Sequence, residues 1–226
     1  MNVMDWNKSL VKKTADNEQT PLHYAARLAR WYNIASQLLD EDNSVAYVID
    51  NDKNTTLHLA AMTGKNCIFE EVKLHTPDCW KIVNGKRQNI LHIALEHDRK
   101  YTAKYIIENN RGINTLITEK DVDGNAPFHL MAASNCLVDG IIHHDMVAKN
   151  ALNNKNLTPL DMVPNYGRDV EDALINAGAT WSWRKEMSRS QDERKITITK
   201  KDRKAAEKEI LVEKKERRAR KKERLA

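Results

Sequence analysis

The chain has 226 residues, of which 41% are apolar and 31% are charged. This length is enough for one domain, or for one elongated array with a tail. Three widely spaced cysteines, Cys67, Cys79 and Cys136, form neither a disulfide framework nor a cysteine-based zinc site, which favours a reducing compartment. No stretch approaches about 18 consecutive apolar residues, so the sequence predicts no transmembrane helix.

The net charge of +5 is distributed unevenly along the chain. Residues 194–226 contain fifteen Lys or Arg and six Asp or Glu, a net charge of +9, which leaves −4 for residues 1–193. We expect residues 184–226 to form a basic, partly helical tail, because Lys200–Ala226 lacks Gly and Pro and is rich in helix-forming residues. Its most basic run includes Lys214, Lys215, Arg217, Arg218, Arg220, Lys221 and Lys222.

This tail is open to three interpretations. It is a solvated charged helix, a nuclear localisation or nucleic-acid patch, or a juxtamembrane segment that faces anionic lipid. No aromatic residues are interleaved with the basic run, so specific nucleic-acid binding ranks lowest.

The rest of the chain repeats a short motif. The segments QTPLHYAA, TTLHLAA, NILHIAL, APFHLMA and TPLDMV place His23, His58, His92, His129 and Asp161 at steps of 35, 34, 37 and 32 residues. Thr at a helix N-terminus, Pro at the first helical position and Leu with Ala on one face predict a first helix at each motif. A second helix should follow each first helix, around 32–39, 67–74, 101–108, 135–143 and 168–177. Polar turns, rich in Asn, Asp and Gly, then connect the repeats.

The period and the T-P-L-H-x-A core resemble the ankyrin repeat. The resemblance implies an all-α solenoid of stacked helix-turn-helix pairs, with an array of about five repeats over residues 17–183 and a partial repeat over residues 1–16. It also implies that the motif histidines bond backbone groups of neighbouring turns. The last repeat, in which Asp161 replaces the histidine, resembles a C-terminal cap. We expect Trp181, Ser182 and Trp183 to cover the open end of the array; the alternative is an anchor to a partner or to a membrane interface.

A narrower resemblance links the chain to plant ankyrin proteins of the accelerated-cell-death type, whose arrays carry a membrane domain with a Pro-Gly-Gly signature. It rests on HTPDCWKIVNGKRQNILHIAL (75–95), the insert 109–120 and NNKNLTPLDM (153–162). This resemblance implies a role in defence, cell death or stress signalling, and relatives that are anchored in a membrane. The chain as given contains neither the Pro-Gly-Gly signature nor the membrane helices.

The sequence shows no catalytic or cofactor-binding motif. Phosphate-binding loops, a nucleophile elbow and H-E-x-x-H are all absent from the 226 residues. Histidines about one repeat apart are too distant to share one metal, and adjacent His143 and His144 point in different directions on a helix. We therefore expect no enzyme activity, no cofactor, no metal site and no small-molecule substrate.

The turn tips and the first-helix face should form a concave surface that binds a protein partner. Arg and aromatic side chains favour interfaces, and the candidates on this surface are Tyr24, Arg27, Arg30, Trp31, Lys53, Met62, Lys65, Lys86, Arg87, Glu96 and Arg99. The predicted function is that of an interaction scaffold or regulator, with the cytoplasm or the cytosolic face of the plasma membrane as its location. A cytosolic or nuclear adaptor is the alternative, with the tail bound by an import receptor.

Overall fold

The computed structural model describes residues 8–28, 32–110 and 112–182. This part of the chain contains α-helices and short 3₁₀ helices and has no strands. The expected basic tail and Trp183 lie outside the described residues. The α-helices are α1 (Lys8–Val11), α2 (Pro21–Arg27), α3 (Tyr32–Glu41), α4 (Thr56–Thr63), α5 (Asn66–His75), α6 (Ile90–Glu96), α7 (Lys100–Asn109), α8 (Ile113–Thr118), α9 (Pro127–Ala133), α10 (Asp139–Ile142) and α11 (Arg168–Asn176).

The first helices of successive repeats pack side by side. Helix α2 contacts α4, α4 contacts α6, and α6 contacts α9, while the second helices α3 and α5 pack in the same way behind them. The Leu position of each motif supplies the core, and each of these side chains is at most 2% exposed: Leu22, Leu57, Leu91, Phe128 and Leu160. Each repeat therefore buries its apolar side against its neighbours, as in a solenoid.

Small side chains allow this close helix packing. Ala60 and Ala61 in α4 are fully buried, as are Ala94 in α6 and Ala132 in α9. A larger side chain at any of these positions would enter space that neighbouring residues already fill.

The structure differs from the predicted helices in two repeats. In the fourth repeat the second helix covers only Asp139–Ile142 instead of 135–143. Asn135 adopts a left-handed φ of 57°, and Val138, Gly140 and Ile141 have low helix propensity. In the fifth repeat the first helix is a single 3₁₀ turn, Leu160–Met162.

Short helices also occupy the outer loops, where we predicted none. Two are 3₁₀ helices, Asn43–Tyr47 and Pro77–Lys81, and the third is α8, which lies within the insert 109–120. Asn89 fixes α8, because its Nδ2 donates hydrogen bonds to Leu116 O at 2.9 Å and to Glu119 Oε2 at 2.8 Å. Among the described segments, no helix is both long and apolar enough to cross a membrane.

Candidate binding groove

The motif histidines link each repeat to the next through buried hydrogen bonds. His58 accepts a hydrogen bond from Thr55 N at Nδ1, at 3.1 Å, and its Nε2 lies 3.1 Å from Gln88 O. Because Nδ1 is an acceptor, Nε2 carries the ring proton and donates it to the carbonyl. His23, His92 and His129 make the equivalent bonds, with Nε2 at 3.2, 3.1 and 3.0 Å from the carbonyl oxygens of Asn54, Asn125 and Ala151.

Burial keeps these imidazoles neutral. It lowers the pKa of both His58 and His92 to about 4, because a charged ring would lose its hydration. It also lowers the pKa of His23 and of His129. Among the described residues, no group of three or more His, Cys, Asp or Glu side chains is placed to hold a metal ion. The histidines thus act on the backbone of the neighbouring repeat, and through it they fix the position of each turn.

Side-chain oxygens shape the turns themselves. Asp50 Oδ1 accepts hydrogen bonds from Asp52 N at 3.0 Å and Asn54 N at 2.8 Å. Asn84 Oδ1 accepts from Lys86 N and Gln88 N, each at 2.9 Å. Asp121 and Asn153 bond the equivalent amides of the next two turns. Short polar side chains stabilise tight turns in this way, and this explains their recurrence in the connectors.

Neighbouring turns are also tied to each other by their backbones. Gly85 N donates to Asp52 O at 3.1 Å, and Val122 N donates to Lys86 O at 3.0 Å. A Cβ at Gly85 would lie only 3.0 Å from Asp52 O, so the close approach of the two turns favours glycine. The spacing between the tips of repeats two and three is therefore set by the backbone.

A groove of about 570 Å³ lies between these turn tips and the first helices α4 and α6. It contains four of the predicted binding residues, namely Lys53, Met62, Lys86 and Glu96. Sequence reasoning missed the remaining lining residues: Asn51, Asp52, Asn54, Asn84, Gly85, Gln88, Ile93 and His97. Most of these residues belong to the turns 50–54 and 84–88, so their position in the repeat could have identified them as lining residues.

The groove is lined by two cations, Lys53 and Lys86, and by two carboxylates, Asp52 and Glu96. Lys53 and Lys86 are exposed at the turn tips, and the structure pairs neither with a carboxylate in the described segments. Glu96 lies at the end of α6, where its Oε2 accepts a hydrogen bond from Gln88 Nε2 at 2.8 Å. Met62 is half-buried between them. The groove therefore offers two cations and the exposed Asp52 carboxylate at the turn tips, a second carboxylate at the end of α6 and the half-buried side chain of Met62 to a bound molecule.

Arg87 and Lys53 occupy the left-handed position of their turns, with φ of 58° and 60°. Glu18, Gly124 and Asn156 occupy the equivalent position in the other turns. Non-glycine residues adopt this conformation at a cost of about 1–3 kcal/mol. Arg87 is exposed next to Lys86 in the same turn, but it does not line the groove.

The other predicted binding residues do not line the groove. Tyr24 lines a separate apolar cavity of about 580 Å³ with Leu10, Leu28 and other side chains at the N-terminal end of the array. Arg99 donates through Nε to Met62 O at 2.9 Å, and therefore contacts the backbone of a residue that lines the groove. Arg27 is exposed and Lys65 is half-buried, whereas Arg30 and Trp31 lie outside the described residues.

Comparison with known families agrees with this architecture. A family model described as ankyrin repeats (3 copies) matches residues 4–70. No curated protein is similar enough to the chain to count as a match. We call the row of motif histidines that bond the next turn the histidine ladder. The fold is identified as an ankyrin-repeat solenoid by the family model, by the all-helical stack of repeats and by this ladder.

Proposed function

We propose that the chain is a protein-interaction scaffold that holds a segment of its partner in the groove between repeats two and three. Ankyrin repeats point to protein–protein interaction in general, and the rigid presentation of unpaired Lys53 and Lys86 supports this particular groove. Turns that are already ordered lose little conformational entropy when a partner binds. Three exposed cations of these turns, Lys53, Lys86 and Arg87, outnumber the exposed Asp52 carboxylate. Together with half-buried Met62 they favour a partner segment with acidic side chains beside an apolar one.

The test uses the full chain and a phage-displayed library of random peptides. We expect the selected peptides to be rich in Asp and Glu next to a large apolar residue. Fluorescence anisotropy would then compare the wild type with a variant that reverses the three exposed cations of these turns, K53E/K86E/R87E. We expect this variant to lose at least about tenfold in affinity, because charge-assisted hydrogen bonds contribute about 1.5–3 kcal/mol each.

The matched control makes the same change in net charge at exposed cations outside the groove, K100E/K155E/R168E. We expect this control to retain binding within about twofold, since charges that do not contact the bound peptide act on it only through screened solvent. Equal losses in both variants would refute the groove as the site and leave only a general electrostatic attraction. A library that yields no binding peptide would refute recognition of a linear segment.

We further propose a role in plant stress, defence or cell-death signalling, as a soluble relative or fragment of a membrane-anchored ankyrin protein. The resemblance of residues 75–95, 109–120 and 153–162 supports it. The basic tail supports the alternative, a cytosolic or nuclear adaptor, because a run of Lys and Arg is also typical of an import signal.

A fluorescent fusion of the full chain, with and without neutralisation of the seven cations between Lys214 and Lys222, separates the two roles. Loss of a nuclear signal on neutralisation would favour the adaptor. Loss of a plasma-membrane signal would favour attraction to anionic lipid, at about 1 kcal/mol for each basic residue near the surface. An unchanged cytoplasmic signal in both fusions would contradict both roles of the tail.

A further inference from the structure

A histidine outside the repeat motif joins the second helices of repeats one and two. His75 is the last residue of α5, and its ring lies between two hydrogen-bond acceptors. Nδ1 lies 2.8 Å from the backbone oxygen of Glu71, one turn earlier in the same helix. Nε2 lies 3.0 Å from Oδ1 of Asp40, near the end of α3 in the preceding repeat. One side chain therefore contacts the ends of both helices.

This arrangement determines the protonation state in which both contacts form. A carbonyl oxygen accepts hydrogen bonds and cannot donate them, and the same holds for an ionised carboxylate. Each ring nitrogen of His75 must therefore carry a proton, which is true only of the imidazolium. The neutral ring donates to one acceptor and presents a lone pair to the other. His75 is thus the opposite of His58, whose Nδ1 accepts a hydrogen bond.

The surroundings of His75 favour the imidazolium. The hydrogen bonds to the backbone oxygen of Glu71 and to the Asp40 carboxylate raise the pKa of His75, and they outweigh the desolvation that lowers it. A cation at the C-terminus of a helix also interacts favourably with the helix dipole. The side chain of Asp40 is 67% exposed and that of His75 only 20%, so solvent weakens this ion pair but reaches little of the ring.

Three consecutive carboxylates lie at the C-terminal end of α3. Asp40, Glu41 and Asp42 line a polar pocket of about 520 Å³ together with His75. Negative charge is unfavourable there, because the last carbonyl groups are the negative end of the helix dipole. Lys12 pairs with Asp42 at 2.8 Å, and within the described segments His75 is the cation that pairs with Asp40. Loss of the charge on His75 would therefore leave Asp40 without a counter-charge in this pocket.

Other charged groups on the elements around α5 do not pair with His75. Within the described residues they pair with each other, namely Asp78 with Lys81 at 3.5 Å and Lys104 with Glu108 at 3.8 Å. In α4 the titratable group is His58, which burial keeps neutral. The carboxylates that act on the ring of His75 are those of Asp40 and Glu71.

The third repeat has a side chain without a titrating group at the equivalent position. Asn109 ends α7 as His75 ends α5, and its Nδ2 donates to the backbone oxygen of Tyr105, one turn earlier, at 3.0 Å. Its Oδ1 lies 3.5 Å from Nζ of Lys73 in the preceding repeat. Both residues therefore cap their own helix and contact the repeat before it, but only His75 can gain or lose a charge.

We propose that His75 is a pH-sensitive clamp between the second helices of repeats one and two, closed while its ring carries two protons. When the ring loses a proton, the backbone oxygen of Glu71 keeps the remaining one on Nδ1. Nε2 then presents a lone pair to the Asp40 carboxylate, so the contact between α3 and α5 becomes repulsive. The clamp shares no residue with the groove at the turn tips, so it does not depend on the function proposed for that groove.

The sign of the response is opposite to that of the buried motif histidines. The pKa of His75 is raised in the folded chain. Its contribution to stability is therefore fully present below about pH 6.5 and is lost as the pH rises through the pKa of the folded state.

The ¹⁵N chemical shifts of the ring measure both the pKa and the tautomer of His75. The full chain would be labelled with ¹⁵N-histidine, and His75→Asn identifies the signals. We expect a pKa above about 6.5 and a neutral form with its proton on Nδ1. Asp40→Asn should lower this pKa by about 0.3–0.7 unit, as expected for an ion pair close to solvent. Asp78→Asn is the matched control, because it removes a similarly exposed carboxylate that pairs with Lys81, and it should leave the pKa unchanged.

Urea unfolding tests whether the clamp stabilises the fold. His75→Asn copies the residue at the equivalent position of the third repeat, so it retains a helix cap and removes the titrating group. We expect the wild type to have a higher urea midpoint than His75→Asn at about pH 6, and this difference to disappear by about pH 8.5. A pKa of His75 at or below its usual value, an unchanged pKa in Asp40→Asn, or an equal difference in midpoint at both pH values would each overturn the proposal.

Discussion

The buried imidazole of His58 makes the free energy of unfolding depend on pH, and this dependence tests the histidine ladder. Burial lowers the pKa of His58 to about 4 from its usual 6.5. A second ring proton would have to sit on Nδ1, which faces the Thr55 N–H donor at 3.1 Å and the Thr55 hydroxyl at 2.8 Å. Protonation therefore removes one hydrogen bond and places a charge in the core, and the folded chain resists it.

The sign of the effect follows from proton linkage. Between about pH 6.5 and about pH 4 the unfolded chain holds a proton on this residue and the folded chain does not, so the free energy of unfolding falls as the pH falls. The contribution is fully present above about pH 6.5 and is lost progressively on the way down to the pKa of the folded state. Each such group contributes about 1.4 kcal/mol per pH unit inside this window. His92 has the same lowered pKa, so it adds a similar amount.

Urea unfolding of the full chain, followed by circular dichroism between about pH 7 and about pH 5, measures this slope. His58→Gln removes the titrating group, so we expect its slope to be smaller than that of the wild type by about 1.4 kcal/mol per pH unit. At pH 7 the variant should also be less stable by about 1–3 kcal/mol, because buried partners are left without hydrogen bonds. His143→Gln, at an exposed position, is the control for the substitution itself at pH 7.

Parallel pH profiles for the wild type and His58→Gln would refute this reasoning. They would mean that His58 has the same proton affinity in the folded and the unfolded chain. The hydrogen bond to the next repeat would then contribute to stability without excluding a charged ring.

Two further substitutions test the turns and the insert. Gly124→Ala should destabilise the fold by about 1–3 kcal/mol, because Gly124 has a φ of 77° and an added Cβ would lie 2.9 Å from the backbone nitrogen of Asn154. Thermal unfolding measures this loss, and an unchanged melting temperature would contradict the prediction. Gly140→Ala is the matched control, since its Cβ would meet only the side chain of Ile107, at 3.5 Å. Asn89→Thr restores the residue found at this position in three of the other repeats and should cost about 1–2 kcal/mol, because the bonds to α8 are lost. Hydrogen exchange should then accelerate in α8, and full protection there would show that Asn89 does not hold it.

The motif predicted the parts of the fold that every repeat shares. Leu57 and His58 have fixed partners in a stack of repeats, so their burial and the period of the helices could be inferred from the sequence. The outer loops differ from one repeat to the next, and nothing in the motif constrains them. This is why α8 could not be predicted from the motif. Asn89 stands where three other repeats have Thr, and its longer side chain both caps α6 and binds the insert.

Only some residues of the groove could be predicted from the sequence, again because the motif constrains only the positions that every repeat shares. Lys53 and Lys86 were recognisable because they stand at turn tips, whose position follows from the period. The carboxylate of Glu96 was also found, but its bond to Gln88 was not, because it depends on side-chain conformations across a turn and a helix. The 3₁₀ helix Pro77–Lys81 could not be predicted from the repeat pattern, since it lies in an outer loop that the motif does not include.

The histidine ladder gives the array a direction. Each ring donates toward the C-terminal neighbour, from His23 to Asn54, from His58 to Gln88 and onward. A cut that removes the C-terminal neighbour would take away the acceptor of the ring N–H. A cut that removes the N-terminal neighbour would leave a carbonyl such as Asn54 O, which still accepts a hydrogen bond from Asp50 N at 2.9 Å. Each repeat therefore depends on the repeat that follows it more than on the one before, and the array is unequally sensitive to shortening at its two ends.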